Sequence, residues 1–510
     1  MDIKRIRKSI ENERSDVWVA AFICVLALLS LIPLIICAFH NYATGDDLLY
    51  GSVVKDVIRN GGNAIDALKA IFADIKEEYY GFQGTWSSGF MWRIEPSIWG
   101  ENLYKVTFFI AFTCIVGGTG AVLHYILVRM IGIKKNVYVV ITVLLSLMMI
   151  QYMPYPRGGM YWYTGMMQYT FSYGIASLSI RALLKYVTER KFRYMVIMLL
   201  TGAYLGGGGY PVVVYGIVVY MFAFLGSLLL RRGEKGSAAE SKRINWEILI
   251  PLALIIIGFI IDFLAPGNSN RAGVELGFDP GYALMTVLRC IPEGLLGGFR
   301  FMINARPLIL IFVLVIVYSF ECIDIEKSRL RFDHPIWVVV ASILTMCSVY
   351  CPVLYTGNDV AAGISGGVYD VYFFVFVIST GFMLVYLTGF FKKKIIEKGT
   401  EIRIRNIRTY VTIVIVLFGT VFFRHLIGSS VFYVSSEYIE EGHLADFEMQ
   451  MQERLKILQD DSIRNAVLEP INEYQGPIMH MPVTGDPDAY TNQVTTSFYG
   501  KDSVVEKQYE

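Results

Sequence analysis

Two adjacent carboxylates, Asp46 and Asp47, come soon after an apolar stretch that ends near residue 39. A carboxylate at the boundary between lipid and water is partly desolvated, and desolvation raises its pKa toward values that suit a general base. The same residues suit the start of a helix, because Thr44 and Asp46 are good N-cap residues and aspartate is favourable in a first helical turn. The pair is therefore predicted to be either a catalytic base or a helix start, and the residue types alone favour the helix start.

Aromatic and small polar residues cluster in two places that could bind a sugar. Trp86, Trp92 and Arg93 follow Asp46 and Asp47 in the same segment, and Tyr161 and Trp162 lie further along the chain. The C–H face of a sugar is apolar and stacks on a tryptophan ring, while its hydroxyl rim bonds to polar groups. A belt of tryptophan and tyrosine at the membrane interface predicts the same composition, so both interpretations stay open.

Two arginines could bind a phosphate. Arg157 is the one cation among several aromatic residues in 154–164, and Arg271 follows Pro266-Gly267-Asn268, which predicts a helix end and a turn. A guanidinium group at the outer leaflet could bind a lipid-linked phosphate through paired hydrogen bonds. It could equally be an anchor that reaches to the lipid headgroups. The Asn268 amide is a further candidate for binding sugar or acceptor hydroxyls.

The elements that must position these residues are predicted to be transmembrane helices. The chain is 55% hydrophobic and 17% charged, against roughly 25% charged in soluble proteins. About eleven apolar segments approach the length needed to cross a bilayer. They are 17–39, 105–129, 136–153, 165–186, 194–208, 210–230, 246–264, 307–323, 335–355, 370–391 and 408–426. The fifth ends in four glycines, which are tolerable where the backbone packs on protein or lines a cavity.

The distribution of basic residues predicts the orientation. Most of the 45 lysines and arginines fall before the first apolar segment or in the short even-numbered connections, which places the amino end in the cytoplasm. The first segment is longer than the apolar core of a signal peptide and no A-x-A-like site follows it, so an uncleaved span is favoured. The longer segments then face outward: 40–104, 154–164, 265–306, 356–369 and the tail.

The predicted organisation has three parts: a cytoplasmic segment 1–16, a transmembrane domain 17–426 and an extracytoplasmic region 427–510 that forms a small α/β cap. The lone His480 in this cap is predicted to be structural. Seven cysteines, most of them within apolar segments, behave as small hydrophobic residues. Their odd number and the lack of a CxxC pair argue against a zinc site or a disulfide framework.

Taken together, these segments resemble the membrane-embedded GT-C glycosyltransferases, in particular the bacterial multi-pass proteins grouped near GtrII-type glucosyltransferases. The resemblance covers most of the chain and rests on the order of its motifs. These are Asp46-Asp47, Gly84-Thr85-Trp86-Ser87-Ser88, Tyr161-Trp162, Pro266-Gly267-Asn268 with Arg271, and Pro482, Asp486-Pro487, Asn492 and Tyr499-Gly500 in the tail.

The resemblance implies an inverting transferase of the plasma membrane that moves a sugar from polyprenyl phosphate to a surface glycan or glycolipid. Asp46 or Asp47 would deprotonate the acceptor, and Arg271 or Arg157 would bind the donor's phosphate. The implied partners are membrane lipids, the lipid-linked donor and the acceptor; the near-neutral net charge of +1 indicates no nucleic-acid partner. No metal ligand set is predicted, and a divalent ion has no support in the sequence.

The chain departs from the family pattern as pictured at two points. Arg93 comes late after the first tryptophan, and Gly206 to Gly209 stand where an acidic residue is often expected after the fifth span. Acceptor binding is therefore the part of the resemblance that transfers least.

The main competing function is a secondary transporter or flippase-like protein for a glycan or lipid, since Asp262 and Glu321 lie within or beside apolar segments. No inverted repeat is visible, however, and the charged residues cluster at helix ends. An outer-face polysaccharide ligase or polymerase would have its large loop late in the chain, whereas the large loop here is the first. A structural or sensory membrane protein is the remaining alternative.

Overall fold

The computed structural model describes residues 3–232, 245–272, 277–356, 366–399 and 407–508. Helices account for 77% of the structure. The first group is α1 (Ile3–Phe39), α2 (Asp46–Arg59), α3 (Ala64–Gly81), α4 (Trp86–Trp92), α5 (Val106–Phe112), α6 (Gly118–Leu123), α7 (Lys135–Gln151), α8 (Tyr163–Met166) and α9 (Ser172–Glu189). The 3₁₀ helices Pro96–Trp99 and Glu101–Lys105 and the π-helical turns Thr113–Gly117, His124–Ile131, Arg157–Tyr161 and Met167–Phe171 connect them.

The remaining helices cover the second half of the chain. They are α10 (Phe192–Gly206), α11 (Tyr210–Arg232), α12 (Leu249–Phe263, after a 3₁₀ turn Trp246–Ile248), α13 (Pro266–Ala272), α14 (Pro280–Asn304), α15 (Pro307–Cys322), α16 (Pro335–Ser348), α17 (Cys351–Tyr355), α18 (Val368–Glu397), α19 (Ile407–Val421), α20 (Phe423–Ile427), α21 (Val431–Glu440), α22 (His443–Leu458) and α23 (Tyr490–Tyr499). Strands β1 (Asn465–Leu468) and β2 (Ser503–Glu506) pair in parallel, with Asn465 opposite Ser503.

Several helices are long and apolar enough to span a membrane. Among the described residues these are Val17–Phe39, Glu101–Ile131, Tyr210–Leu228, Trp246–Phe263 and Val368–Glu397, and α14 with α15 makes a sixth if the two form one bent span. The apolar helices α7, α10 and α16 are shorter. The segments predicted from hydropathy all fall on helices, which fits a membrane protein, whereas the number of eleven crossings stays a prediction.

Two segments predicted to lie outside the membrane contain helix in the structure. Helix α1 begins at Ile3, so the predicted cytoplasmic segment 1–16 continues as helix into the first apolar segment. Most of the predicted outer loop 265–306 is helix, because α14 occupies 280–304. Much of the loop 356–369 and of the basic connections around 235–243 and 403–405 lies outside the described residues.

Close helix packing explains the glycines at the end of α10. A Cβ atom at Gly206 would lie 2.9 Å from the Cα atom of Gly258, so both residues allow α10 and α12 to approach directly. Helix α18 lies at the centre of the bundle, with Tyr372, Phe373 and Phe374 fully buried. A helix that is apolar on all sides is stable only when other helices surround it in this way.

The C-terminal segment 431–506 covers the first loop of the chain. Helix α23 runs along α2: Arg59 donates a 2.7 Å hydrogen bond to the carbonyl of Phe498, and the ammonium group of Lys55 lies 4.9 Å from the centre of the Phe498 ring. The segment contains helices and one strand pair, and the side of the membrane on which it lies stays a prediction. Its contact with α2 brings residues from the two ends of the chain together at Asp46 and Asp47.

Candidate functional site

Asp46 and Asp47 are the first two residues of α2. The residue before them, Gly45, has a φ of 56°, and no side chain caps the helix. The predicted capping by Thr44 is wrong: its hydroxyl instead accepts a 3.0 Å hydrogen bond from the backbone N–H of Met481. Successive residues of an α-helix point about 100° apart, so the two carboxylates face different surroundings.

Asp47 is fully buried and accepts hydrogen bonds from three donors. Its Oδ1 atom accepts bonds from the Thr164 backbone N–H (2.8 Å) and hydroxyl (2.6 Å), and its Oδ2 atom accepts a 2.5 Å bond from the Tyr104 hydroxyl. Burial raises the pKa of Asp47 to about 6, although these hydrogen bonds oppose the shift. Asp47 thus ties α2 to α8 and to the 3₁₀ helix Glu101–Lys105, and its carboxylate has no open side toward solvent.

Asp46 is partly exposed and has a different set of neighbours. Its Oδ1 atom accepts a 2.5 Å hydrogen bond from the Tyr490 hydroxyl of α23. Desolvation raises the pKa of Asp46, the Tyr490 hydrogen bond and the charge of Arg271 lower it, and the charge of Glu78 raises it. Of the two carboxylates, Asp46 is therefore the one that combines partial desolvation with access to solvent and a nearby cation.

Arg271, the cation near Asp46, is exposed and held by the first loop. Its Nη1 atom donates a 2.6 Å hydrogen bond to Gln83 Oε1, and its guanidinium group lies 4.9 Å from the centre of the Phe82 ring. The Gln83 amide in turn donates to Glu78 Oε1 at 2.6 Å. One N–H group of Arg271 is occupied in this way and the Phe82 ring lies against the guanidinium group, while the residue as a whole is exposed.

The sequence predicts a turn at Pro266-Gly267-Asn268, whereas in the structure these residues begin α13, which packs against the motif that contains Gly84. Asn268 Oδ1 accepts a 3.1 Å hydrogen bond from the Gly84 backbone N–H, and Asn268 Nδ2 donates 2.7 Å to the carbonyl of Asp262. A Cβ atom at Gly267 would lie 2.5 Å from the backbone nitrogen of Phe82. Two of the sequence motifs are thus adjacent, and the Asn268 amide is engaged in holding them together.

Trp92 and Arg93 lie inside the first loop, each with an exposed fraction of 1%. Arg93 donates 2.6 Å hydrogen bonds to Asp74 and Glu78, and the Trp92 ring packs 4.9 Å from that of Tyr50. These contacts hold both side chains within the loop, although the Trp92 indole nitrogen has no hydrogen-bond partner among the described residues. Their predicted contact with sugar stays a prediction.

Trp86 is half-buried on the glycine-rich end of α10. A Cβ atom at Gly207 would overlap the Trp86 ring, so a glycine is needed for the indole to lie on this backbone. Ser87 strengthens the contact, since its hydroxyl donates a 2.5 Å hydrogen bond to the carbonyl of Tyr204. The indole nitrogen of Trp86 is buried without a hydrogen-bond partner among the described residues. Trp86 therefore keeps an unsatisfied N–H donor at this contact.

Tyr161 and Trp162, the second group of aromatic residues, differ in burial. Tyr161 is fully buried, and its hydroxyl donates a 3.0 Å hydrogen bond to the carbonyl of Leu34. Trp162 is half-buried, and its indole nitrogen also has no hydrogen-bond partner in the described part of the chain. Arg157 donates a 2.8 Å hydrogen bond to the carbonyl of Gly476 and a 3.4 Å bond to Gln475 Oε1, which attaches the C-terminal segment.

Two further groups near the carboxylates were not predicted from the sequence. Tyr490 is 444 residues from Asp46 along the chain, so no local pattern identifies it. Glu95 is buried, and its two oxygens contact the hydroxyl (2.5 Å) and the backbone N–H (2.8 Å) of Ser97. Burial raises the pKa of Glu95 to about 8, and the charge of Asp47 raises it further. The E-P-S sequence is a local signal for the Glu95 turn, but not for its burial.

His480 lies in the C-terminal segment, where it is buried 5.5 Å from the ring of Phe447. Desolvation lowers its pKa to about 4, so the ring is neutral near pH 7. No group of three or more His, Cys, Asp or Glu side chains that could hold a metal ion occurs in the described ranges.

Comparison with known proteins identifies no family for the chain. No protein-family model and no curated protein matches the chain.

Proposed function

We propose that the chain is a membrane-embedded glycosyltransferase that moves a sugar from a polyprenyl-phosphate donor to a cell-surface acceptor at the outer face of the plasma membrane. The observation that carries this proposal is a partly buried carboxylate at the start of α2 that lies within the electrostatic influence of an exposed arginine. Asp46 is partly desolvated and partly exposed, and the charge of Arg271 acts on its carboxylate. Such a reaction requires both a base for the acceptor and a cation for the leaving phosphate.

In the proposed reaction, Asp46 accepts the proton of an acceptor hydroxyl as its oxygen attacks the anomeric carbon of the donor sugar. The bond between that carbon and the phosphate oxygen breaks, and polyprenyl phosphate leaves with the electron pair. Attack from the face opposite the leaving group inverts the anomeric configuration. Arg271 stabilises the charge that develops on the phosphate, as a preorganised donor does in other transfer reactions.

The surrounding residues have supporting roles in this proposal. Asp47 holds α2 in place through Tyr104 and Thr164. The half-buried indoles of Trp86 and Trp162, whose nitrogens lack hydrogen-bond partners among the described residues, are the best placed of the aromatic candidates to contact a sugar. No cofactor is needed beyond the lipid-linked donor.

The proposed topology has about eleven crossings, an amino end in the cytoplasm and a carboxyl end outside. The basic residues of the short connections support this orientation. An outer location of the C-terminal segment follows, because α23 contacts α2 beside the site. A reporter that is active only in the cytoplasm, fused after residue 510, should give no signal.

The proposal is tested by incubating the purified protein with radiolabelled polyprenyl-phosphate sugars and measuring the release of polyprenyl phosphate. Wild-type protein should release it, and Asp46→Asn should not. Asp56→Asn is the matched control, since Asp56 lies on the same helix and, among the described residues, its carboxylate accepts a 2.7 Å hydrogen bond from Arg59. Loss of release in the control as well, or full release by Asp46→Asn, would remove Asp46 as the base.

A transporter or flippase-like function is the second candidate, because Asp262 offers a feature common in transporters. It is fully buried at the end of α12; its Oδ1 atom accepts a 2.8 Å hydrogen bond from Tyr210, and its Oδ2 atom has no partner among the described residues. Buried carboxylates within membrane segments often mark a substrate or proton path. Glycan or lipid translocation in proteoliposomes that is lost in Asp262→Asn, without sugar transfer, would favour this function.

A further inference from the structure

Helix α14, which hydropathy did not predict, has three distinct faces. One face packs on the bundle, and a Cβ atom at Gly294 would lie 2.6 Å from the Cα atom of Cys347. A second face exposes Leu284, Leu288, Leu295, Phe299 and Ile303. Between these faces, Arg289 and Arg300 are both exposed. Eleven residues are about three helical turns, so the two arginines project in nearly the same direction.

The helix turns sharply into α15. The axes of Pro280–Asn304 and Pro307–Cys322 differ by 99°. Helix α15 exposes Ile309, Val313 and Ile316, as a helix in contact with lipid tails does. If α15 crosses the bilayer near its normal, then α14 lies close to the membrane plane, with its apolar face toward the acyl chains and its arginines toward the headgroups.

A cavity of about 350 Å³ lies at this bend. It is lined by Arg306, Ile309, Leu310, Phe422, His425 and Leu426. Four of the six are apolar side chains, whereas Arg306 is exposed and donates a 3.1 Å hydrogen bond to the carbonyl of His425. The apolar lining suits an acyl chain, and the guanidinium group suits a phosphate. One molecule can carry both groups.

We propose that the bend between α14 and α15 is a binding site for an anionic phospholipid. One acyl chain occupies the cavity, and Arg306 binds the phosphate, with Arg300 adding positive charge one to two turns earlier on α14. The interaction combines burial of apolar area with attraction between arginine and an anionic headgroup, and either part alone binds weakly. This inference does not rest on the proposed transferase activity.

The test is native mass spectrometry of the full-length protein in detergent, titrated with phosphatidylglycerol or phosphatidylcholine. Wild-type protein should retain phosphatidylglycerol preferentially. Arg306→Gln should weaken its retention about fivefold, the effect of removing one arginine beside an anionic lipid. Leu310→Trp should weaken retention of both lipids by filling the cavity. The matched controls are Arg464→Gln in the C-terminal segment and Ile316→Trp on the exposed face of α15; both should bind as wild type does.

Three outcomes would overturn the proposal. Arg306→Gln and Leu310→Trp could retain phosphatidylglycerol as well as their controls do. All four variants could lose it equally, which would indicate a general effect of charge or bulk. Finally, inorganic phosphate could displace the lipid completely at millimolar concentration, which would show a site for a free anion rather than for a phospholipid.

Discussion

The hydroxyl of Tyr490 donates a 2.5 Å hydrogen bond to the carboxylate of Asp46, although 444 residues separate the two in the sequence. The bond joins the last helix of the chain to the first turn of α2. Its position beside Arg271 means that the C-terminal segment completes the surroundings of the candidate base. A segment predicted only as a cap thus contributes a side chain to the site.

Removing this hydrogen bond should change the acidity of Asp46. The Tyr490 bond lowers the pKa of Asp46, so Tyr490→Phe should raise that pKa. The base is active only when ionised, and the acid limb of the pH profile of kcat/KM should therefore move to higher pH. Tyr474→Phe, an exposed tyrosine of the same segment, should leave the profile unchanged. An unaltered acid limb in Tyr490→Phe would mean that another group is the base.

The two aspartates should respond differently to substitution by asparagine. Asp46→Asn should abolish transfer and leave the melting temperature nearly unchanged, because Asp46 is partly exposed. Asp47→Asn places an amide N–H₂ group against the hydroxyl or backbone donors of Tyr104 and Thr164, which should cost about 1–3 kcal/mol of stability. Thermal unfolding in detergent measures the second effect. Equal melting temperatures for Asp47→Asn and wild type would contradict the anchoring role.

The sequence alone does not distinguish Asp46 from Asp47, because a linear pattern contains only local signals. Apolar runs such as 17–39 and 370–391 are local signals, and the structure has helices at both. The rotation of about 100° between neighbouring helical residues separates Asp46 from Asp47 only when the packing around α2 is known.

Other features of the structure depend on contacts between residues that lie far apart in the sequence. Arg93 follows the tryptophans and is of a type that binds sugars, yet Asp74 and Glu78 from α3 enclose it. Helix α14 was missed because its apolar residues occupy only one face, with glycines and arginines between them. From the sequence, the Gly84 and Asn268 motifs could be placed only on the same side of the membrane. Their contact could not be predicted, because neither motif identifies the residues it packs against.

The buried Glu95 should make the fold less stable as pH rises. Burial raises its pKa in the folded protein from 4.5 to about 8. Because the folded protein holds this proton more tightly than the unfolded chain does, protonated Glu95 contributes to the stability of the fold. This contribution is fully present below pH 4.5 and is lost as pH rises through about 8. Glu95→Gln mimics the neutral acid, so its melting temperature should fall less than that of wild type between pH 5 and pH 9. Glu77→Gln, an exposed residue of α3, is the control, and parallel curves for Glu95→Gln and wild type would contradict the prediction.

Replacing Arg157 should affect the attachment of the C-terminal segment more than the binding of the donor. Its Nε atom donates 2.8 Å to the carbonyl of Gly476, so Arg157→Ala should loosen the segment 431–506. Limited chymotryptic cleavage within that segment should become faster, while the donor KM of the uncleaved protein stays close to wild type. Unchanged cleavage together with a raised donor KM would assign the phosphate to Arg157 instead.

Arg271 should bind the phosphate of the donor. Asn268 fixes the start of α13, the helix that contains Arg271, and Gln83 holds one N–H group of Arg271 at 2.6 Å, so the guanidinium is oriented before the donor arrives. Arg271→Lys keeps the charge but loses the planar fork, and donor binding should weaken. Arg271→Ala should weaken it further, by about 1.5–3 kcal/mol if the bonds are charge-assisted. The acceptor KM should change little. Donor KM and inhibition by polyprenyl phosphate are measured for the three proteins, and inhibition of the alanine variant equal to that of wild type would reduce Arg271 to a membrane anchor.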